Sequence, residues 1–233
     1  MNKIFLDCGS GHGEGLIKHV EKFKIDEEWK IFCFESNPYT LKHLKKVIKT
    51  NKLLKNLSIE VVEKAVWIED SETQMSLEGV NLDSYKNNKG IKDYLDRLNT
   101  EFEKGNSTRF FDVDTPDWGG SSIVNPEFFN KEGLFQDEIG EIKKFVSVKC
   151  LDFNQWTVEN TNKEDFIVMK MDIEGAEYEV LRKMIKEDSL KRFNELSIEF
   201  HLWMMRDKEK ISESEKFIRD YIHKNKINLV EWE

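Results

Sequence analysis

The chain has 233 residues and carries 45 acidic against 36 basic side chains, for a formal net charge of -9. This balance argues against a broad electrostatic surface for DNA or RNA, and the length suffices for one α/β domain that needs no disulfide or metal. No apolar run approaches the roughly 20 residues of a membrane span, and no signal peptide precedes the first strand. We therefore expect a single cytoplasmic domain over residues 1–233, with no membrane or nucleic-acid partner; an oligomer is compatible with the sequence.

The first motif is IFLDCGSGHGEG, from Ile4 to Gly15, in which a short apolar strand and an aspartate lead into alternating glycines. We expect Gly9, Gly11, Gly13 and Gly15 to take positive φ angles and to let a ligand approach the backbone. Apolar residues at helical spacing follow, so the loop joins the carboxyl end of a strand to the amino end of a helix. Open α/β sheets bind ligands there, and the motif predicts a nucleotide-type cofactor site.

The glycine spacing and the charges around the loop narrow the choice of ligand. The dinucleotide fingerprint G-x-G-x-x-G fails, because its third glycine would fall on Glu14 or on Leu16, and no GK[ST] follows to make a P-loop. Asp7 and Glu14 would repel a pyrophosphate but suit the sulfonium and ammonium groups of S-adenosylmethionine. The loop therefore predicts an S-adenosylmethionine site and disfavours a nicotinamide oxidoreductase.

The next elements continue the α/β pattern. Lys30–Glu35 is a continuous apolar run that ends in an acid, as in a strand buried on both faces of a parallel sheet. Glu35 is placed to accept hydrogen bonds from both ribose hydroxyls of an adenosine; the alternative is a solvent-facing acid at a strand end. Asn37 caps the next predicted helix. A third strand is predicted over Leu57–Trp67, with Ala65 at the adenine edge by analogy with doubly wound sheets.

Residues 81–117 interrupt this pattern and are predicted to be an insertion over the site, either a lid or a substrate-selecting element. The stretch RFFDVDTPDW, which ends at Trp118, brings aromatic side chains that stack on a sugar ring or nucleobase, or that simply anchor the insertion. Phe110 and Phe111 belong to the same group. The tetrad in GGSSIV, Gly119–Val124, predicts by itself only a flexible turn.

The second diagnostic stretch is DFIVMKMDIEGAEYEVLRKM, from Asp165 to Met184. Its buried strand brings Asp172 and Glu174 to the carboxyl edge of the sheet, and paired acids at a strand end indicate a site. A charge complement at a helix amino terminus is the alternative, which fits Glu174 and Glu177 better than Asp172. In LSIEFHLW, Glu199 and His201 are two residues apart, so we expect both on one face of the neighbouring strand, pointing toward the same edge.

The remaining chain predicts a helix and a strand. A capping box of Ser212 and Glu215 starts the helix, whose inward residues are Phe217, Ile218, Tyr221 and Ile222. The last strand covers Ile227–Trp232. Three scattered cysteines lie in or beside apolar strands and are predicted to be core residues in a reducing compartment: Cys8, Cys33 and Cys150.

Six stretches of the chain, in this order, closely resemble the motifs of the FkbM-type S-adenosylmethionine-dependent methyltransferases: DCGSGHG, FCFESNP, GGSSIV, VKCLDF, MKMDIEGAEYEVL and IEFH. The resemblance covers most of the chain outside 81–117. It implies a class I methyltransferase fold, which is α/β and Rossmann-like, with a mostly parallel sheet and helices on both faces. It also implies methylation of a hydroxyl on a sugar, a sugar nucleotide or a small natural product. The family fold closes with an antiparallel hairpin, whereas one candidate strand is seen here, and the insertion is longer than the family's usual hairpin.

The resemblance also implies roles for individual residues. The methionine end of the cofactor is expected at Asp7, Gly9 and Gly11, and its ribose at Glu35. The whole predicted cofactor set is Asp7, Gly9, Ser10, Gly11, Glu35, Ser36, Ala65 and Asp172. The predicted catalytic residues, near the reacting oxygen, are His201, Asp172, Glu199 and Glu174.

Methyl transfer to an alcohol needs a base that takes the hydroxyl proton as the new bond forms. His201 is the first candidate for this base and Asp172 is its rival. Asp172, Glu199 and His201 also have the composition of a Mg²⁺ or Mn²⁺ site with open positions, although a hydrogen-bonded acid and histidine would give the same sequence. Two alternatives stay open: a nucleic-acid 2′-O-methyltransferase, which should show a basic groove with aromatics, and a noncatalytic S-adenosylmethionine-binding module.

Overall fold

Residues 1–80, 89–104, 120–128 and 140–231 are described by the computed structural model of the chain. The strands are β1 Lys3–Cys8, β2 Trp29–Phe34, β3 Ser58–Val62, β4 Ala65–Trp67, β5 Ser71–Val80, β6 Gly140–Asp152, β7 Phe166–Met171, β8 Glu195–Ile198 and β9 Asn228–Glu231. The helices are α1 Glu14–Phe23, α2 Pro38–Thr50, α3 Lys89–Glu103, α4 Phe153–Asn160, α5 Glu177–Lys186 and α6 Lys208–Lys224. Short 3₁₀ turns cover Pro126–Phe128, Leu190–Arg192 and Leu202–Met204.

The main sheet has the strand order β3-β2-β1-β7-β8-β9, and each neighbouring pair in it is parallel. The chain builds outward from β1 to β3 and then resumes on the other side of β1 with β7. The order therefore reverses between β1 and β7, and the carboxyl ends of these two strands form the crevice in which open α/β sheets bind ligands. The predicted α/β Rossmann-like fold with a mostly parallel sheet is confirmed.

Helices cover both faces of this sheet because successive strand residues point to opposite sides. From β1, Ile4 and Leu6 join the core that includes residues of α5 and α6, whereas Phe5 joins the core that includes residues of α1 and α2. Lys170 is the register partner of Asp7 on β7, so both side chains lie on the α1 side. This register brings a buried charge pair beneath the glycine loop.

A second sheet has the order β4-β6-β5, and it corrects the predicted third strand. Leu57–Trp67 is not one strand, because β3 belongs to the main sheet and β4 pairs with β6 in the second. A hydrogen bond of 2.9 Å from the Lys64 amide to the Val62 carbonyl closes a three-residue turn between them. That turn redirects the chain from one sheet to the other, which a continuous run of β-forming residues does not reveal.

The antiparallel pair β5 and β6 flanks the predicted insertion, since Val80 pairs with Gly140. Helix α3 lies in this connection, and its Phe102 ring contacts His43 of α2 edge-on at 6.1 Å between centroids. The aromatic residues predicted to stack or anchor there, Phe110, Phe111 and Trp118, lie outside the described residues, as does Gly119.

The start of the last helix and the inward position of Phe217 were predicted wrongly. Helix α6 begins at Lys208, and the Asp207 side chain accepts a hydrogen bond from the Lys210 amide at 3.1 Å, so the Ser212 and Glu215 capping box is not used. Asp is among the strongest helix caps, and it starts the helix a full turn earlier. Ile218 is buried as predicted, but Phe217 is 52% exposed. The strand β9 ends at Glu231, and Trp232 lies outside the described residues.

The three cysteines are buried and free, as predicted for core residues. Burial raises the pKa of the Cys8 and Cys33 thiols well above its usual value, so neither is a ready nucleophile. Within the described ranges, no helix combines the length and the apolar character needed to cross a membrane.

Candidate active site

The glycine loop follows β1 at the crevice of the main sheet. Gly9, Gly11 and Gly13 have φ angles of 75°, 51° and 89°, as predicted, whereas Gly15 is an ordinary helical residue of α1. A Cβ on Gly9 would lie 1.8 Å from the Asp172 carbonyl oxygen, but a Cβ on Gly11 would meet nothing within 4 Å. Gly9 is therefore needed for packing, while Gly11 leaves an open space that a ligand can occupy.

This difference makes a prediction about two matched substitutions. Gly9→Ala should cost about 3 kcal/mol of folding stability or more, because its Cβ overlaps a backbone carbonyl in addition to the left-handed strain. Gly11→Ala should cost only about 1–2 kcal/mol, which is the strain alone. Urea unfolding of both variants measures the two costs. Equal losses of stability would contradict the packing role of Gly9.

Glu35 follows β2 directly and holds the glycine loop. Its two carboxylate oxygens accept hydrogen bonds from the Gly11 amide at 2.7 Å and from the Asn37 amide at 2.8 Å. Ser10 is tied to the same loop, because its amide donates to the Phe34 carbonyl at 3.1 Å and its hydroxyl donates to the Asp7 carbonyl at 3.0 Å. Four of the predicted cofactor residues, Gly9, Ser10, Gly11 and Glu35, thus gather at the ends of β1 and β2.

Ser36 and Ala65 lie on the side of the second sheet. The Ser36 hydroxyl is 3.9 Å from the Met75 sulfur of β5, and Ala65 of β4 packs with Met75 in a small core. Both are predicted cofactor residues, and both therefore lie where the two sheets meet.

His201 is surrounded by carboxylates although it is only 2% exposed. On one side of the ring, Glu177 accepts a hydrogen bond from the His201 amide at 2.9 Å and lies 3.2 Å from Nδ1. On the other side, Nε2 lies 3.4 Å from Glu174, 3.7 Å from Asp172 and 3.8 Å from Glu199. The four predicted catalytic residues are thus neighbours at the ends of β7 and β8.

The backbone that brings them together differs from the prediction. Strand β8 ends at Ile198, so Glu199 and His201 lie in the loop that leads to the 3₁₀ turn and not on a strand face. The alternation argument was therefore wrong for these two residues, although their side chains still lie 3.8 Å apart. Their approach depends on the loop and on the buried Glu177 that accepts the His201 amide.

The carboxylates set the charge of His201. Burial lowers the pKa of a histidine, but Glu177, with its hydrogen bond, and then Glu174 and Asp172 raise it by more, to about 10. His201 is therefore protonated at neutral pH in the protein alone and acts as a hydrogen-bond donor. Burial, followed by the nearby Asp172, also raises the pKa of Glu199. A protonated His201 has no free lone pair with which to accept a proton, which disfavours it as the base.

Ser122 of the GGSSIV motif connects this cluster to the second sheet. Its hydroxyl donates to the Glu174 carbonyl at 2.6 Å, and its backbone exchanges hydrogen bonds with Ser76 of β5 at 2.8 and 3.1 Å. Glu174 itself has a left-handed φ of 53°, a strained conformation for a residue other than glycine. Asn37 also donates to Ser121 at 3.2 Å. The motif thus joins both halves of the site to the second sheet.

A sequence model of the methyltransferase FkbM domain matches residues 7–226. The chain belongs to the FkbM methyltransferase family. The methyltransferase FkbM from Methylobacillus flagellatus KT is a similar solved structure, with 13% identity and a TM-score of 0.43; the similarity covers 97% of this chain and 38% of that one. A comparison with curated proteins finds no match. Family membership confirms the resemblance of the motifs.

Two charged residues of this FkbM domain were missed by the sequence prediction. Lys170 and Glu177 have side chains that are 2% and 0% exposed, and they contact Asp172 and His201 respectively. Lys170 stands alone in the apolar run FIVMKM, and a charge inside a buried strand must be paired, which is a signal that the sequence does carry. In the sequence, Glu177 was interpreted as an acid that complements the dipole at a helix start. Only the fold shows that it is buried.

The FkbM domain also has a donor set for a cation. One atom each of Asp172, Glu199 and His201 lie within 4.8 Å of one another. Two carboxylates and an imidazole suit Mn²⁺ and, with more water, Mg²⁺. Glu177 beside Nδ1 would orient the ring as the outer carboxylate of a metal-bound histidine does.

Proposed function

We propose that this FkbM domain is an S-adenosylmethionine-dependent O-methyltransferase that acts on a hydroxyl of a sugar, a sugar nucleotide or a small natural product. One observation carries the proposal: the glycine loop contacts the acid cluster directly. Gly9 packs on the Asp172 carbonyl, and the Asp172 amide donates to the Cys8 backbone carbonyl at 3.1 Å. A cofactor cradle and a group able to take a proton therefore share one edge of the sheet.

The residues around the loop fit the proposed cofactor. When bound, S-adenosylmethionine supplies an electrophilic methyl group on a cationic sulfonium. Glu35 would accept hydrogen bonds from the ribose hydroxyls, and the open space over Gly11 would receive the ligand. Ser36 and Ala65 would line the adenine side. Carboxylates outnumber the cations at this edge, which favours a positively charged ligand over a pyrophosphate.

The residues beside the cradle would handle the acceptor. Asp172 takes the hydroxyl proton as the oxygen forms its bond to the methyl carbon and the carbon–sulfur bond breaks. His201, which carries a proton, keeps the surrounding carboxylates in place. The Glu199 and Glu174 side chains are 34% and 21% exposed, so they remain open to neighbouring hydroxyls of a polyol.

We also propose that residues 1–233 are one domain, with 81–117 as its acceptor-selecting element.

A divalent cation is a further part of this proposal. Asp172, Glu199 and His201 would hold Mg²⁺ or Mn²⁺ once the Nε2 proton of His201 is released, and the cation would lower the pKa of a bound hydroxyl. Mn²⁺ binding that is seen by calorimetry in the wild type and lost in Asp172→Asn would support this role. Methyl transfer that survives exhaustive chelation would exclude the metal and leave the rest of the proposal intact.

Calorimetry tests the proposed cofactor directly. The protein should bind S-adenosylmethionine and S-adenosylhomocysteine, and it should not bind NAD. A panel of sugars and sugar nucleotides, followed by release of S-adenosylhomocysteine, then identifies the acceptor. A protein that binds NAD but not S-adenosylmethionine would overturn the proposal.

A further inference from the structure

Lys170 is the buried cation on which the two halves of the site converge. Its ammonium donates to the Gly9 carbonyl at 2.6 Å, and it lies 3.3 Å from Asp172 Oδ2 and 3.6 Å from Asp7 Oδ1. The two carboxylate oxygens of Asp172 have different neighbours, because Oδ2 is the one near Lys170 and Oδ1 lies 3.7 Å from His201 Nε2. One side chain thus contacts both the glycine loop and the proposed base.

Helix α1 is shaped around this lysine. A Cβ on Gly15 would lie 3.1 Å from Lys170 Cε and 3.4 Å from Nζ. Glycine inside a helix is less stable than alanine, and Gly15 has a helical backbone conformation that alanine would also accept. Glycine at position 15 is therefore explained by the space that Lys170 needs, and not by the positive φ that was predicted.

Asp7 is the third partner in this buried group. It is completely buried, and no hydrogen bond from the described residues reaches either of its carboxylate oxygens. Its nearest described cation is Lys170, on the register-paired position of β7. Asp7 is therefore buried beneath the loop, where the Lys170 ammonium is the cation beside it.

We propose that Lys170 is a positioning residue that locks the Gly9 carbonyl and the Asp172 carboxylate into one arrangement, so that the cofactor loop and the base keep a fixed relation. The inference rests on the proposed function and adds a residue to its machinery. The competing explanation is that Lys170 only neutralises Asp7. Replacing a buried ion pair by apolar residues of similar volume is often neutral for stability, so the two explanations can be separated.

The test measures S-adenosylhomocysteine binding by calorimetry and the thermal midpoint of each variant. Lys170→Met should weaken binding by about tenfold or more, because a charge-assisted hydrogen bond to the loop is lost. The double variant with Asp7→Leu and Lys170→Met should regain stability but keep the weak binding. Gly15→Ala should fold normally and bind severalfold more weakly, because its Cβ displaces a lysine held on three sides.

Lys183→Met is the matched control. Lys183 also donates to a backbone carbonyl, that of Ile68 at 2.6 Å, and pairs with Asp152 at 2.5 Å, and neither partner belongs to the glycine loop. This variant should lower the thermal midpoint without changing the dissociation constant.

Each outcome decides the question. Wild-type affinity in the double variant would mean that Lys170 only neutralises Asp7, and wild-type affinity in Gly15→Ala would equally overturn the inference. Gly15→Ala keeps the test decisive if the lysine variants do not fold. A wild-type protein that does not bind S-adenosylhomocysteine at all would refute the proposed function and this inference with it.

Discussion

Replacing Glu35 with glutamine is expected to weaken S-adenosylmethionine binding by about 100-fold or more, since two charge-assisted hydrogen bonds to the ribose are lost or inverted. Glu35 has a second role, because its oxygens also accept the Gly11 and Asn37 amides. Glutamine offers an acceptor to only one of these amides. The loop itself should therefore loosen, and stability should fall by about 1–3 kcal/mol.

Calorimetry and urea unfolding measure the two effects of Glu35→Gln separately. Glu63→Gln is the matched control, because Glu63 follows the neighbouring strand β3 but is an exposed acid paired with Lys45. It should change neither quantity appreciably, as exposed ion pairs contribute little. If Glu35→Gln binds S-adenosylmethionine as tightly as the wild type does, the ribose role of Glu35 is wrong.

Folding stability is expected to fall as the pH rises from about 6.5 to about 10, through the titration of His201. The pKa of His201 is raised from 6.5 to about 10 in the folded protein. Its contribution is therefore fully present below pH 6.5 and is lost as the pH rises through the folded value. Because each pKa unit corresponds to about 1.4 kcal/mol, the loss is on the order of 5 kcal/mol.

The measurement is urea unfolding of the wild type and of His201→Gln from pH 6 to pH 10.5, with a chelator present. The difference between the two should shrink as the pH rises, because glutamine does not titrate. His223→Gln, at the exposed end of α6, should follow the wild type at each pH. A difference that stays constant with pH would show that the carboxylates do not hold a proton on His201.

Much of the candidate site could be predicted because several of its residues lie at the carboxyl ends of strands. Asp172 and Glu35 each close an apolar run, and parallel strands bring such ends to one edge of the sheet. The glycines could be assigned for a similar reason, since alternate glycines after a strand indicate a turn with left-handed φ angles. Local patterns of this kind predict the structure because they depend on the backbone conformation of a few neighbouring residues.

Other parts could not be predicted because they depend on contacts distant in sequence. The split of Leu57–Trp67 follows from pairing with β6, which lies some eighty residues later. The approach of Glu199 to His201 depends on a loop whose amide is held by Glu177. Phe217 was predicted to face inward with Ile218 and Ile222, but the fold leaves it 52% exposed. In each case the local sequence pattern was compatible with more than one structure.

The sequence by itself determined the fold class, the position of the glycine loop and the acids at the strand ends, because backbone periodicity and glycine geometry act over a few residues. Only the tertiary structure decided which charges are buried together. Lys170, Asp7 and Asp172 come together because β1 and β7 are paired in register, and Glu177 reaches His201 because the first residue of α5 lies beside the loop after β8. The pKa of a side chain depends on such neighbours, so the charge of His201 was set by the fold.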